Sequence, residues 1–247
     1  MRYDQRRAGL RLAALLTLLS AAATLAAAFS VNPMTVELSP SGSGTVASFR
    51  VENDGNEPIA LVISVLSRSM DTDGTEQNGP VGSDFVVLPS RVVLEPRTTR
   101  IIKVQWRGSP QLEAERAFRV VVEQVPVMFS EANVSGIRIM FRYLASLYVV
   151  PPGAQGNLVP EGLKPVVQDG KPGFVATIRN DGNKHAVIKA VSLMAKSPVG
   201  DISLPDEVLS GLIGMNILAR SSRDMFIPWA SASMGTAYEG IFTIDYE

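Results

Sequence analysis

An all-β protein of two tandem sandwich domains is the fold class this sequence predicts, on three observations. Short runs rich in Val, Ile and Phe recur from Phe29 to the end, broken by clusters of Gly, Pro, Asn, Asp and Ser, with no helical pattern between them. The string Asn-Asp-Gly-Asn occurs at 53–56 and again at 180–183, 127 residues later. Each copy follows an alternating run, Ala47 to Val51 and Phe174 to Ile178. A second likeness comes in the same order: Leu94 to Trp106 is similar to Leu218 to Trp229, with the tryptophans 123 residues apart. Two recurrences at nearly one offset predict two related domains. Asn and Gly tolerate positive φ, so each string is expected to be a tight turn between strands. Strands without intervening helices favour sandwiches over an α/β sheet.

Taken in order, the chain begins with a segment outside the fold. Residues 1–28 read as a secretory signal: Arg2, Arg6, Arg7 and Arg11 give a basic start, Leu10 to Ala28 is apolar, and Ala26-Ala27-Ala28 fits a small-residue cleavage site. The general secretory route is expected, with no stable membrane insertion after cleavage. Removing the leader's net +3 from the chain's −1 leaves −4, with no basic stripe, so nucleic acid is not an expected partner. The chain has no cysteine, which excludes disulfides, thiol catalysis and thiolate metal sites.

The first domain is expected over 29–150. Its strands are Phe29 to Leu38, Thr45 to Glu52, Ile59 to Leu66, Phe85 to Val93, Thr99 to Trp106, Phe118 to Val125 and Ile137 to Val150, with Arg68 to Asp84 a long exposed loop and Pro110 to Arg116 a candidate helical turn. Val150-Pro151-Pro152-Gly153 is a stiff connection. The second domain, 151–247, has fainter strands: Phe174 to Ile178, Ala186 to Met194, Asn216 to Leu218, Asp224 to Trp229 and Glu239 to Tyr246.

Candidate chemistry is sparse. His185 is the single histidine, it follows a turn, and no Gly-x-Ser-x-Gly elbow accompanies it, so a solvated or structural role is expected rather than catalysis. One His and no Cys disfavour zinc. Asp71-Thr72-Asp73-Gly74-Thr75-Glu76 resembles part of a calcium loop but lacks the distal Glu, and reads better as a hairpin or loop turn. Ser41-Gly42-Ser43-Gly44 precedes a strand rather than a helix and reads as a turn, not a phosphate cradle. No enzyme, cofactor or metal is expected.

The informative stretch is Ile137 to Val150. Odd positions carry Ile137, Ile139, Phe141 and Tyr143; even positions carry Arg138, Met140, Arg142 and Leu144. Period two places these sets on opposite faces. The apolar segment Pro126 to Asn133 precedes it. By itself the pattern fits an ordinary half-buried strand. Its length and the preceding segment also fit an edge strand lent to another chain's sheet.

Three segments resemble the periplasmic chaperones of the chaperone–usher pilus pathway, the PapD-like family. Leu94-Glu95-Pro96 followed by Arg100 to Val104 resembles the family's Leu-x-Pro strand; Phe118 to Pro126 resembles its strand ending in Glu-x-(Ile/Val)-Pro; Ile139 to Pro151 resembles its last first-domain strand. Asn180 to Ala186 is similar to a turn region of its second domain. The resemblance implies two immunoglobulin-like sandwiches set in a boomerang, a periplasmic location, pilus subunits and an outer-membrane usher as partners, and donor-strand complementation as the mechanism. By register, the subunit-binding residues would be Ile137, Ile139, Phe141 and Tyr143, with Arg138 and Arg142 as charged guards of the free strand. The best-known members hold the subunit's C-terminal carboxylate with an Arg and a Lys. At the matching positions this chain has Thr35 and Ser146, neither of which offers a charge-assisted bond. Another cation such as Arg142 or Arg119 could serve, the alignment could be shifted, or the chain could belong to a divergent branch. Tyr143 and the Phe118-Arg119 strand favour the branch of archaic pilus systems. The competing expectation is a non-catalytic structural or adhesive surface protein of immunoglobulin-like domains.

Overall fold

The computed structural model describes residues 29–127, 139–232 and 235–247. The expected signal segment, Ile137, Arg138 and most of the Pro126 to Asn133 segment lie outside the described residues.

The chain is almost entirely β, arranged as two sandwiches in tandem. The first contains β1 (Phe29–Asn32), β2 (Thr35–Leu38), β3 (Val46–Asn53), β4 (Ile59–Met70), β5 (Glu76–Pro80), β6 (Phe85–Leu88), β7 (Arg91–Leu94), β8 (Thr99–Trp106), β9 (Arg116–Val125) and β10 (Arg142–Val149). One sheet has the order β1-β3-β8-β6; the other runs β2-β10-β9-β4-β5, with β7 also on β4. Alternation along β3 and β8 turns Phe49, Val51, Ile102 and Val104 inward, where they meet Val120, Val122, Leu147 and Val149 from the facing sheet.

The second sandwich contains β11 (Leu158–Gln168), β12 (Lys171–Asn180), β13 (Ala186–Lys196), β14 (Ile202–Ser203), the short helix α1 (Asp206–Leu209), β15 (Asn216–Ile217), β16 (Ser222–Pro228) and β17 (Glu239–Tyr246). Its sheets are β11-β12-β16 and β14-β13-β15, with β17 on β13. Phe174, Ile178, Ile188, Leu193 and Ile227 fill the space between them.

Several element expectations need correction. The expected first strand is two strands in different sheets, and so is Phe85 to Val93. Each break holds a proline, Pro33 or Pro89, which cannot donate to a ladder. The region read as an exposed loop, Arg68 to Asp84, is largely a hairpin: β4 runs on to Met70 and pairs with β5 from Leu66↔Pro80 to Met70↔Glu76. Its turn is the Asp71–Glu76 run, closed by Asp71 N–H to Thr75 O at 2.9 Å, in agreement with the hairpin-turn reading. Pro110 to Arg116 forms no helix. The 11-residue β11 has no counterpart in the sequence reading, because Pro160, Gly162 and Pro165 interrupt its pattern; it sits at a sheet edge, where prolines are tolerated. The long strand expected from Ile137 is β10 only from Arg142 onward.

The two Asn-Asp-Gly-Asn strings are equivalent in space, but not through positive φ. Asn53 and Asn180 are 1% and 0% exposed, and each ties a turn together with its side chain. Asn53 Oδ1 accepts from Gly55 N–H, and its Nδ2 donates to Glu57 O and Leu94 O. Asn180 Oδ1 accepts from Gly182 N–H, and its Nδ2 donates to Lys184 O and Ile217 O. The left-handed residues sit across from them, Arg97 at φ 58° and Arg220 at φ 55°. Gly182 is required by close approach rather than by φ: a Cβ there would lie 2.3 Å from Gln155 O. Each asparagine closes a buried Asx turn and also ties it to a distant strand residue.

Candidate partner-binding edge and interdomain cleft

Most candidate residues fall on β10 or beside it. β9 pairs with its whole length, from Arg142↔Glu123 to Val149↔Arg116. β2 pairs only with Ser146–Val149. Ser146 N–H donates to Met34 O at 2.8 Å on that side. Backbone groups of alternate strand residues face the same way. Arg142 and Leu144 therefore turn theirs toward the side that β2 does not reach. Half of the strand is closed on both sides; among the described residues, the other half has an open edge. Gln124 N–H to Phe141 O, 3.0 Å, carries the β9 ladder one residue further upstream.

The inner face emerges from the core in steps. Ala145, Leu147 and Val149 are fully buried, Tyr143 and Phe141 are half-buried against the first core, and Ile139 is 60% exposed. Tyr143 belongs to the chain's own core face. Its ring meets Phe29 edge-on with centroids 4.8 Å apart, and its hydroxyl donates to Phe29 O at 2.6 Å. On the outer face, Arg142 faces Glu123 at 3.6 Å, both about half exposed. An ion pair of that kind contributes little.

Thr35 and Ser146, the positions matched to the family's clamp, are direct partners in the β2–β10 pairing. The cation beside them is Arg119 on β9, opposite Ser146, whose Oγ accepts from Arg119 Nη1 at 2.7 Å. Arg119 is already engaged: Nε and Nη2 grip the two Glu76 oxygens at 2.8 and 2.5 Å, and Arg68 Nε adds a third bond at 2.8 Å. A bidentate fork of this kind is the strongest form of ion pair. The Arg119 hydrogen bonds hold the Glu76 carboxyl down at about 2, against the opposing effect of burial and with help from the Arg68 charge. Arg68 Nη1 also donates to Tyr148 Oη, which accepts again from Asn216 Nδ2 of the second sandwich, both at 2.8 Å. Arg223, on β16, is held below the ordinary arginine value by burial and then by the Arg68 charge.

Further contacts join the sandwiches, among them a turn-to-strand bond and a buried ion-pair cluster. The β4–β5 turn meets β16 through Asp224 N–H to Thr72 O, 2.7 Å. Glu115, whose side chain is 1% exposed, accepts from the His185 backbone N–H at 3.3 Å and contacts His185 Nδ1 at 2.6 Å, while the imidazole stacks on Tyr148 at 3.9 Å. His185 is thus a packed junction residue, which fits the structural alternative and not the solvated one. The sequence reading singled out none of Arg68, Glu115, Tyr148, Asn216 or Arg223. Only the Arg68 and Glu76 pair left a signal, flanking a turn run at hairpin spacing.

The described geometry agrees with an independent comparison. A family profile described as pili and flagellar-assembly chaperone, PapD N-terminal domain, matches residues 29–155. The chain belongs to that family. No curated protein matches the chain by sequence. Solved structures of the family's fold align over most of its length. The CsuC–CsuE chaperone–tip adhesion subunit pre-assembly complex from archaic chaperone–usher Csu pili of Acinetobacter baumannii gives TM-score 0.57 at 15% identity, covering 87% of this chain and 98% of that one. The Salmonella enterica SafA pilin in complex with the SafB chaperone gives 0.53 at 15%, covering 90% and 98%. The E. coli chaperone DraB gives 0.52 at 15%, covering 89% and 98%. At these identities the likeness is one of fold: the two-domain, immunoglobulin-like β-sandwich of PapD-like chaperones. Family membership assigns the chain a chaperone role in pilus assembly.

Proposed function

We propose that the chain is a periplasmic chaperone, exported by the general secretory route after loss of residues 1–28, that holds pilus subunits by donor-strand complementation and delivers them to an outer-membrane usher. Its working part is the first domain, 29–150, with 151–247 as the second domain. The observation that carries this reading is the open half of β10. Among the described residues, no strand pairs with the side that Arg142 and Leu144 turn away from β9, and upstream of the filled core Phe141 is half-buried and Ile139 is 60% exposed. A subunit lacking one strand would find there both a ladder to pair with and apolar side chains in phase. Ile137, Ile139 and Phe141 would fill its groove, each contributing about 1.5–3 kcal/mol before ordering costs. Arg138 and Arg142 would guard the strand while it is free.

In the cleft, Arg119 rather than Thr35 or Ser146 is the cation positioned for a subunit's C-terminal carboxylate, which would have to exchange with Glu76. The CsuC–CsuE and SafA–SafB complexes pair chaperones with a tip adhesion subunit and a pilin, which supports subunits as the partners here. The test is co-expression of the full chain with a pilus subunit in the periplasm. Ile139→Asp with Phe141→Asp should leave a folded chaperone, judged by its thermal melt, that no longer co-purifies the subunit. Undiminished capture by that variant would remove the donor strand from the mechanism.

A further inference from the structure

The inner face of β10 carries one residue whose placement differs from its neighbours on both sides. Ala145, Leu147 and Val149 are enclosed, while Ile139 stands out into solvent. Tyr143 lies between, and it alone of the residues upstream of Ala145 is tied to the facing sheet by a directed bond, its hydroxyl to Phe29 O at 2.6 Å. Phe29 begins β1, in the opposite sheet, and is 2% exposed. The phenol therefore spans the gap between the two sheets where β10 leaves its core. Ala145, the next residue on that face, is fully buried in the core against which the Tyr143 ring packs.

We propose that Tyr143 is a register stop: a positioning residue that ends the donated segment and sets which side chains of β10 enter a partner's groove. The proposal rests on the donor-strand reading and deepens it. A guest sandwich that pairs with the open edge extends its core along the odd face of β10. Its core can continue over Ile139 and Phe141 but meets, at Tyr143, a ring already packed on Phe29. Because side chains alternate, a guest can slip only in steps of two residues if apolar groups are to stay inside. The next register toward the chain's C-terminus would place the guest's groove over Tyr143. The ladder alone does not forbid that slip, since β2 closes the strand only from Ser146. Arg142 still turns its backbone groups to the open side, and Leu144 its N–H, while the Leu144 carbonyl accepts a long 3.5 Å bond from Arg119 Nη1. The side-chain stop thus lies about two residues before the backbone stop. The same geometry takes Tyr143 out of the groove-filling set, leaving Phe141 as its last member.

Absence of cysteine from the chain makes register directly measurable. Ile139→Cys and Phe141→Cys chaperones would be co-expressed with a pilus subunit carrying single cysteines scanned along its groove, and the disulfides mapped. With Tyr143 present, each donor cysteine should join one groove position. Adding Tyr143→Ala should produce a second set displaced by two residues, while Tyr143→Phe, which keeps the ring on Phe29, should keep the parent set. Should Tyr143→Ala fail to fold, Tyr143→Leu fills most of the volume without reaching Phe29 O and serves in its place. An unchanged single set in the Ala or Leu variant, with capture intact, overturns the register stop but leaves the donor strand standing. Absence of any disulfide, even with Tyr143 present, overturns both. A general loss of stability without displacement also counts against the proposal, since a merely structural tyrosine would weaken every register equally.

Discussion

The two halves of β10 have the same alternating pattern and different surroundings. In Ser146–Val149 the strand has β9 on one side and β2 on the other, and Leu147, Tyr148 and Val149 are at most 1% exposed. In Arg142–Ala145 one side is open among the described residues, and Leu144 is 39% exposed. Period two decides which face a side chain takes; it does not decide whether the strand's edge is covered. That depends on β2, a four-residue strand more than a hundred positions away in sequence. The closed half is scaffold, and the open half is the part free to serve a partner.

Side-chain truncation should separate the halves most sharply. Leu147→Ala leaves a cavity in a closed core and should cost about 2–5 kcal/mol in urea unfolding. Leu144→Ala, on the outer face of the open half, should cost less than about 1 kcal/mol, because little apolar area is lost from contact. Equal costs would mean that the two halves are not energetically distinct.

How far this division is legible in sequence follows from what each part depends on. Strand periodicity and turn residues are local, so the all-β class and most strands can be read directly. The doubled Asn-Asp-Gly-Asn string points to two related units, yet its working chemistry is the buried amide of Asn53 and Asn180 bonded to Leu94 O and Ile217 O, contacts that no local rule predicts. The β4–β5 hairpin was hidden because β5 has no apolar alternation; Glu76, gripped by Arg68 and Arg119, holds it instead. In the cleft, Thr35, Ser146 and Arg119 could each be named from the resemblance. Their adjacency comes from strand register, and the prior claim of Glu76 on Arg119 comes from a hairpin. Glu115 and His185 are 70 residues apart and meet only once both sandwiches exist.

The hairpin stiffens the closed half, and removing its carboxylate should be the next largest effect. Glu76→Gln leaves Arg119 and Arg68 without their charged acceptor and should cost about 1–3 kcal/mol at neutral pH. The sign of its pH dependence is set. Glu76 sits at about 2 in the folded chain against an ordinary 4.5, so its contribution is full above 4.5 and fades as pH falls toward 2. The stability gap between the parent and Glu76→Gln should therefore narrow on acidification, and urea titrations at pH 7 and pH 3 measure it. A gap that widens in acid would place the charge elsewhere. Tyr148→Phe, which removes the oxygen shared by Arg68 and Asn216, should cost about 1 kcal/mol. That loss should shrink but not vanish when Asn216→Ala is already present, since Arg68 still donates to the Tyr148 oxygen.

The smallest expected effect on stability tests the open half itself. Arg142 meets Glu123 only at 3.6 Å with both side chains about half exposed, so Arg142→Val should change unfolding by less than about 0.5 kcal/mol. Its effect should show elsewhere. An edge strand with unpaired backbone groups is a template for another strand, and a charge on it opposes pairing with a second copy. Valine removes that charge and raises strand propensity where the β10 ladder is incomplete. Sedimentation velocity over a concentration series should show the variant self-associating at concentrations where the parent does not, and the matched change Arg116→Val, at the closed end of the same β9–β10 pairing, should leave association unchanged. Equal association by both variants would trace the effect to general surface charge. Association confined to Arg142→Val would locate it at the open edge.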